Sequence, residues 1–282
     1  MPVVELSSGP VEYEDTGGAG PVVVLVHGLV MDSSVWRDVV ADLRQDHRCV
    51  VPTLPLGGHR RPMHPDADLS LDGLARLLAE LLDALDLHDV VLVANDWGGP
   101  QLTAADHPDR IGGLVLTSCE AFDNFPPGLP GRFAALACRL PGGLAVCAQT
   151  LRFRPLRRLP MTFGWMAKRP IPDDLVARWI HGLRTDTAIR RDVRRYVRTS
   201  DLDGFERAAE RLRTFARPAL VLWAAEDRVM PVEHGRRLAA LLPDARFVAV
   251  DDSYVLLPLD RPDAVASELR TFAREVRAAV DR

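Results

Sequence analysis

The stretch Val93-Ala94-Asn95-Asp96-Trp97-Gly98-Gly99-Pro100 sets one carboxylate among small residues. The apolar run Val90-Val91-Leu92-Val93 before it predicts a buried strand, and "QLTAADHP" after it predicts a short helix. Asp96 therefore falls at a strand-to-helix corner. A carboxylate is ionised near neutral pH unless buried and unpaired, so it can attack carbon. A tight turn flanked by small residues is the geometry that presents a nucleophile at the end of a strand. The same residues also suit a helix start, because Asp is a common cap and Gly-Gly a common turn.

The elements around this corner alternate. "VVVLVHG" (22–28) is a continuous apolar run ending at glycine, as in a strand buried on both faces. Ser33 or Ser34 can cap the helix "SVWRDVVADLRQD", and "RCVVPTL" is the next strand. Ser70 can cap "LDGLARLLAELLDALDL", where Leu71, Leu74, Leu78, Leu81 and Leu85 share one helical face. "IGGLVLTS", "PALVLWAA" and "ARFVAV" read as later strands, and helices "VEHGRRLAALL" and "PDAVASELRTFAREVRAAV" follow the last two. This rhythm predicts an α/β protein: a mostly parallel central sheet with helices on both faces. It breaks between Phe122 and Arg217, a stretch rich in Pro and Arg with helical patches and no clear strand. The expected organisation is a core of residues 1–121 and 218–282 with a helical cap inserted at 122–217. Such an insertion sits over the carboxyl ends of the strands, where open α/β sheets bind ligands.

Two further features fall at strand ends: His27-Gly28 in "VHGLVMDSSVW" and Asp227 in "AAEDRVMP". With the elbow, they make the sequence resemble the α/β-hydrolase superfamily over essentially its whole length. Asp in place of Ser, followed by Trp in "DWGG", is similar to the haloalkane dehalogenase and epoxide hydrolase branch. The resemblance implies Asp96 as nucleophile, forming an alkyl-enzyme ester. It implies the backbone N–H groups of Leu29 and Trp97 as the oxyanion hole. Asp227 would be the acid that orients a histidine; Glu120, just beyond "LVLTSC", occupies the other place where some dehalogenases carry that acid. The "DxVxP" setting of Asp227 is the more specific of the two. Trp97 would help to hold a departing halide. Leu29 has no side-chain donor where dehalogenases often have Asn, and cap residues Trp165 and Trp179 are the candidates to replace it. Epoxide hydrolases use two cap tyrosines; this cap holds Tyr196 alone, in "RRDVRRYVR", which reads as a solvated basic helix.

The superfamily's base histidine belongs after the last strand, in a "GH" followed by "xxPLExP". Here the chain reads Asp252-Ser253-Tyr254-Val255-Leu256-Leu257-Pro258-Leu259-Asp260-Arg261-Pro262, which sets Val255 in the histidine's place. Valine has no proton to exchange. Hydrolysis of an ester needs a water activated by a base, help worth about 10²–10⁴-fold. His59, in the loop "PLGGHRRPMHP", and His181, in "ARWIHGL", are the candidates for a substitute base or pocket group; a hydrogen-bonded or solvated bystander is the alternative for each.

The chain has 282 residues, 47% hydrophobic and 26% charged, with a net charge of −4. That balance makes no case for nucleic acid or an anionic membrane. No apolar run approaches the ~20 residues of a membrane span. The start lacks a signal-peptide pattern, and Cys49, Cys119, Cys138 and Cys147 show no metal-ligand spacing, so a cytoplasmic setting is expected. No metal, nucleotide or flavin motif appears, so no cofactor is expected. The leading functional reading is a hydrolase acting on a small, largely apolar molecule. The alternatives are a non-hydrolytic lyase, isomerase or cyclase using Asp96 as base or electrostatic group, and a ligand-binding protein without turnover.

Overall fold

The computed structural model describes residues 1–280. Strands β1 (Val3–Leu6), β2 (Gly9–Asp15), β3 (Val22–Val26), β4 (Arg48–Thr53), β5 (Val90–Asp96), β6 (Ile111–Cys119), β7 (Ala219–Ala224) and β8 (Ala245–Val250) form one sheet in the order β1-β2-β4-β3-β5-β6-β7-β8. From β4 to β8 all pairings are parallel, and every residue of β5, β6 and β7 is buried. Covering both faces of a parallel sheet is what makes its strands continuously apolar. The sequence pattern did not reveal β1 and β2, which join the edge as an antiparallel pair. These strands are half exposed and carry polar residues, so no buried apolar run marks them.

Helices α1 (Arg37–Leu43), α2 (Leu71–Ala84) and α3 (Pro100–Asp106) belong to the first half of the core, and α11 (Val232–Leu241), α12 (Leu257–Asp260) and α13 (Pro262–Val280) to the second. Ser70 caps α2 by accepting from the Gly73 N–H at 3.1 Å, and the leucine stripe of α2 is buried except at Leu85. The cap before α1 is a correction: Asp32, rather than Ser33 or Ser34, accepts the first free N–H, from Ser34. Packing pairs α1 with α13, and α2 with α3.

Between β6 and β7 lie α4 (Gly128–Arg139), α5 (Gly143–Thr150), α6 (Arg154–Arg157), α7 (Asp173–Trp179), α8 (His181–Thr185), α9 (Thr187–Thr199) and α10 (Leu202–Arg211). This helical insertion is tied to the core by polar contacts. Trp179 Nε1 donates to Ser34 Oγ at 3.0 Å, Arg178 pairs with Asp32, and Asp192 accepts the Met63 N–H at 2.9 Å. Among the described residues no helix is long and apolar enough to cross a membrane.

Candidate active site

Asp96 ends β5, and the sheet register slips between Asn95 and Asp96. Its φ is +67°, a left-handed conformation that costs a residue with a Cβ about 1–3 kcal/mol. The Trp97 N–H donates back to the Asn95 carbonyl at 2.8 Å, closing a three-residue turn around Asp96. Asn95 anchors the turn from below: its Nδ2 donates to Thr117 Oγ1 at 3.0 Å and to the Val255 carbonyl at 2.7 Å. Opposite stands Gly28, where any Cβ would run into the Asp96 carboxylate. The helix-cap alternative for Asp96 does not hold, because Gly99 occupies the cap position of α3 and no side chain caps it.

The Asp96 carboxylate receives the Leu29 N–H on Oδ2 at 3.2 Å. Burial pushes its pKa up to about 7, the Leu29 N–H opposes this, and the charge of Asp227 adds to it. Among the described residues no arginine, lysine or histidine offsets that burial. Glu120 follows β6 and is 6% exposed. Its backbone N–H donates to the Asp96 carbonyl at 3.2 Å, and the Tyr196 hydroxyl donates to its Oε2 at 3.3 Å. Burial first, and the Asp96 charge second, hold the Glu120 carboxyl well above the ordinary range. Asp227 is different. Its Oδ1 accepts the N–H groups of Val229 and Met230 at 2.8 Å each, whereas the buried Oδ2 has no partner among the described residues. Burial raises its pKa to about 6 against those N–H groups.

Asp96 and Glu120 face one cavity of about 80 Å³. Its walls are mostly apolar, among them Phe125, Phe133, Leu151, Phe163 and Met166, so most of the cover comes from the helical insertion. Besides Thr162, the remaining polar group of the lining is Tyr196. The expectation of a solvated helix around it is corrected: Tyr196 is buried, on the same face of α9 as Ile189, Asp192 and Val193. The spacing of Ile189, Val193 and Tyr196 was the available signal, hidden by five arginines in the same helix.

The remaining expected residues do not converge on this cavity. Trp97 is buried but is not part of the wall, and its indole N–H is buried without a partner among the described residues. Its backbone N–H is engaged with Asn95, so of the expected oxyanion pair Leu29 alone donates to the carboxylate. His59 is buried elsewhere: its Nδ1 accepts the Gly57 N–H at 3.2 Å, and its Nε2 faces Asp192 Oδ2 at 3.4 Å. His181 is exposed on α8. Trp179 packs edge-on against Phe163 with its N–H spent on Ser34, and Trp165 is half-buried away from the wall. His27 is buried below the site; its Nε2 accepts the Leu54 N–H at 2.9 Å and burial lowers its pKa to about 4, so it stays neutral. Val255 is fully buried, and no histidine among the described residues lines the cavity. No cluster of metal-ligating side chains occurs among the described residues.

Comparison with known proteins agrees with this architecture. Over 145 residues the chain is 32% identical to a haloalkane dehalogenase of Mesorhizobium japonicum, a match spanning 49% of this chain and 46% of that protein. It is 28% identical over 272 residues to a cis-3-alkyl-4-alkyloxetan-2-one decarboxylase of Shewanella oneidensis, covering 92% of this chain and 83% of the relative. Among solved structures, an ancestral haloalkane dehalogenase superposes with a TM-score of 0.78 at 22% identity, covering 99% of this chain and 100% of the other. A thermophilic esterase from Thermogutta terrifontis superposes with a TM-score of 0.75 at 23% identity, covering 98% and 99%. At such identities the two superpositions speak for the fold, which hosts both chemistries. The sequence profile described as the alpha/beta hydrolase family matches residues 23–268, and the chain is therefore a member of that family.

Proposed function

We propose that the protein is a hydrolase whose Asp96 attacks carbon in a small, largely apolar substrate, and that Glu120 does the proton work usually given to a histidine. The observation that carries this reading is that Asp96 and Glu120 line the same apolar cavity while no histidine among the described residues does. With two buried carboxyl groups side by side, one proton is shared unequally, because both cannot ionise cheaply. Glu120, held well above its ordinary range by burial and by the Asp96 charge, keeps the proton, and Asp96 supplies the carboxylate.

On a strained ring ether, an Asp96 oxygen bonds to carbon, the ring carbon–oxygen bond breaks, and its electron pair takes the proton from Glu120. Asp96 is then a neutral ester. With the Asp96 charge gone, one of the two causes that held Glu120 protonated is removed, and the Glu120 carboxylate left behind serves as base. It takes a proton from water as the hydroxide adds to the ester carbonyl, whose negative oxygen receives the Leu29 N–H. Collapse expels the alkoxide, which takes the hydroxyl proton of the intermediate and leaves Asp96 ionised and Glu120 protonated. One carboxyl acting first as acid and then as base is the logic of retaining glycosidases. The Tyr196 hydroxyl, donating to Glu120 Oε2, orients that carboxyl.

A second reading keeps the site and drops the water. The Shewanella decarboxylase relative aligns along most of the chain, and Asp96, titrating near 7, suits proton transfer near neutral pH. A lyase or isomerase reaction then needs no water activation. The two readings separate by intact-protein mass during turnover of epoxides, haloalkanes and four-membered lactones in ¹⁸O-water. Hydrolysis through Asp96 gives a transient adduct, absent in Asp96→Asn, and labelled product. Product without adduct or label supports the second reading, and no turnover of any class refutes both.

A further inference from the structure

The whole-chain charge balance conceals a segregated surface. From Asn124 to Pro172 the sequence has eight basic residues and no acidic one. Met1 and Val3 apart, the large apolar side chains exposed among the described residues all lie between Leu129 and Leu202. They follow the helices. On α4, Leu129, Arg132, Leu136, Arg139 and Leu140 are exposed at spacings that place them along one face. Val146 on α5 is 64% exposed, and Phe153, seven residues on, is 62% exposed.

The opposite sides of the same helices line the cavity. Pro130, Gly131 and Ala134 of α4 and Cys147 of α5 are wall residues, and Met161 is both in the wall and exposed. The cover over Asp96 is thus one helix thick, apolar inside and apolar-basic outside. The α4 and α5 helices pack against each other, so their exposed stripes adjoin. Arg154 and Arg157 are paired with Asp173 and Arg152 reaches Gln149, whereas the guanidinium groups of Arg132, Arg139 and Arg158 have no hydrogen bond or ion pair among the described residues.

We propose that this outer face of α4 and α5, with the Phe153–Met161 segment, seats on an anionic lipid surface, and that an apolar substrate enters the cavity from that surface. Free guanidinium groups meet lipid phosphates, and Leu136, Val146 and Phe153 enter the headgroup boundary, as amphipathic basic helices do. Charge is what selects this occupant over a second copy of the chain. A second copy docked through the same face would bring its own free guanidinium groups of Arg132, Arg139 and Arg158 into the contact, and residues 124–172 supply no acid to meet them.

The test is flotation with vesicles of phosphatidylcholine alone and of phosphatidylcholine mixed with phosphatidylglycerol, at low and high salt. The expected result is binding to the mixed vesicles only, weakened by salt. Arg132→Ala and Arg139→Ala each weaken it about fivefold. Phe153→Ser weakens it too, while circular dichroism melting and turnover of a water-soluble substrate stay unchanged. Arg158→Ala is the second probe should an α4 variant melt early. Absence of flotation, or flotation indifferent to these variants, overturns the proposal. So does a dimer in light scattering that Leu136→Asp disperses, which would assign the face to a second copy.

Discussion

Two loops at the same edge of the sheet, the turn after β5 and the loop after β8, are built on opposite principles. The first holds Asp96 at positive φ, buries its carboxylate without a cation and gives that carboxylate one N–H. The second is packed and satisfied. Val255 is fully buried with its carbonyl accepted by Asn95, and the Asp260 carboxylate receives the N–H groups of Lys168, Arg169 and Tyr254 at 2.8–3.0 Å. Each loop holds one Asp at positive φ, Asp96 at 67° and Asp252 at 58°, but Asp252 is exposed and paired with Lys168 and Arg169, whereas the Asp96 carboxylate is buried without such a partner. On the proposed reading the proton-handling group is Glu120, at the end of the adjacent strand β6, and not a residue at the Val255 position.

The largest expected effect is in the turn after β5. Asp96→Asn reduces turnover to background and abolishes the covalent adduct, read by mass; a normal adduct in that variant would falsify the nucleophile assignment. Next, Glu120→Gln slows release of the ester by about 10²–10⁴-fold, the usual worth of a general base, so the adduct accumulates. Adding Val255→His to that variant sharpens the contrast between the loops: recovered release means that a base at either place serves, provided the larger side chain is accommodated. Third, Asp260→Ala destabilises the fold by about 3 kcal/mol in urea unfolding, because three N–H groups lose a charged acceptor. If the variant is as stable as the parent, the β8 loop is held by apolar packing alone.

The smallest effect is a pH dependence. A carboxyl raised to about 7 binds its proton more tightly in the folded chain than in the unfolded one. Its contribution to stability is complete below its unfolded pKa of about 4 and is lost as pH rises through 7. Asp96→Asn removes the ionised form, so it stabilises more at pH 8 than at pH 5, by roughly 2 kcal/mol. Melting curves at the two pH values check this; equal shifts would mean that Asp96 is not buried as a charge.

The strand–helix alternation, the elbow and the parallel sheet were legible because each depends on local pattern: apolar runs, helical periodicity and small residues at a tight turn. The antiparallel edge pair was not, since its strands are half exposed and polar. The low net charge, averaged over the chain, also hid the acid-free stretch of the insertion. Asp96 needed only its neighbours to be recognised as a corner residue. What could not be read locally was rotation and reach. Whether His59, His181, Trp165, Trp179 or Tyr196 meets Asp96 depends on how the insertion helices roll against the core, and that roll is set by contacts 100 or more residues apart in sequence, such as Asp192 with Met63 and Trp179 with Ser34. The amino-acid sequence by itself determined the scaffold and the position of one carboxylate. Tertiary packing alone decided that its cavity partners are Glu120 and Tyr196, because side-chain convergence is a property of long-range contacts and local propensity carries no information about them.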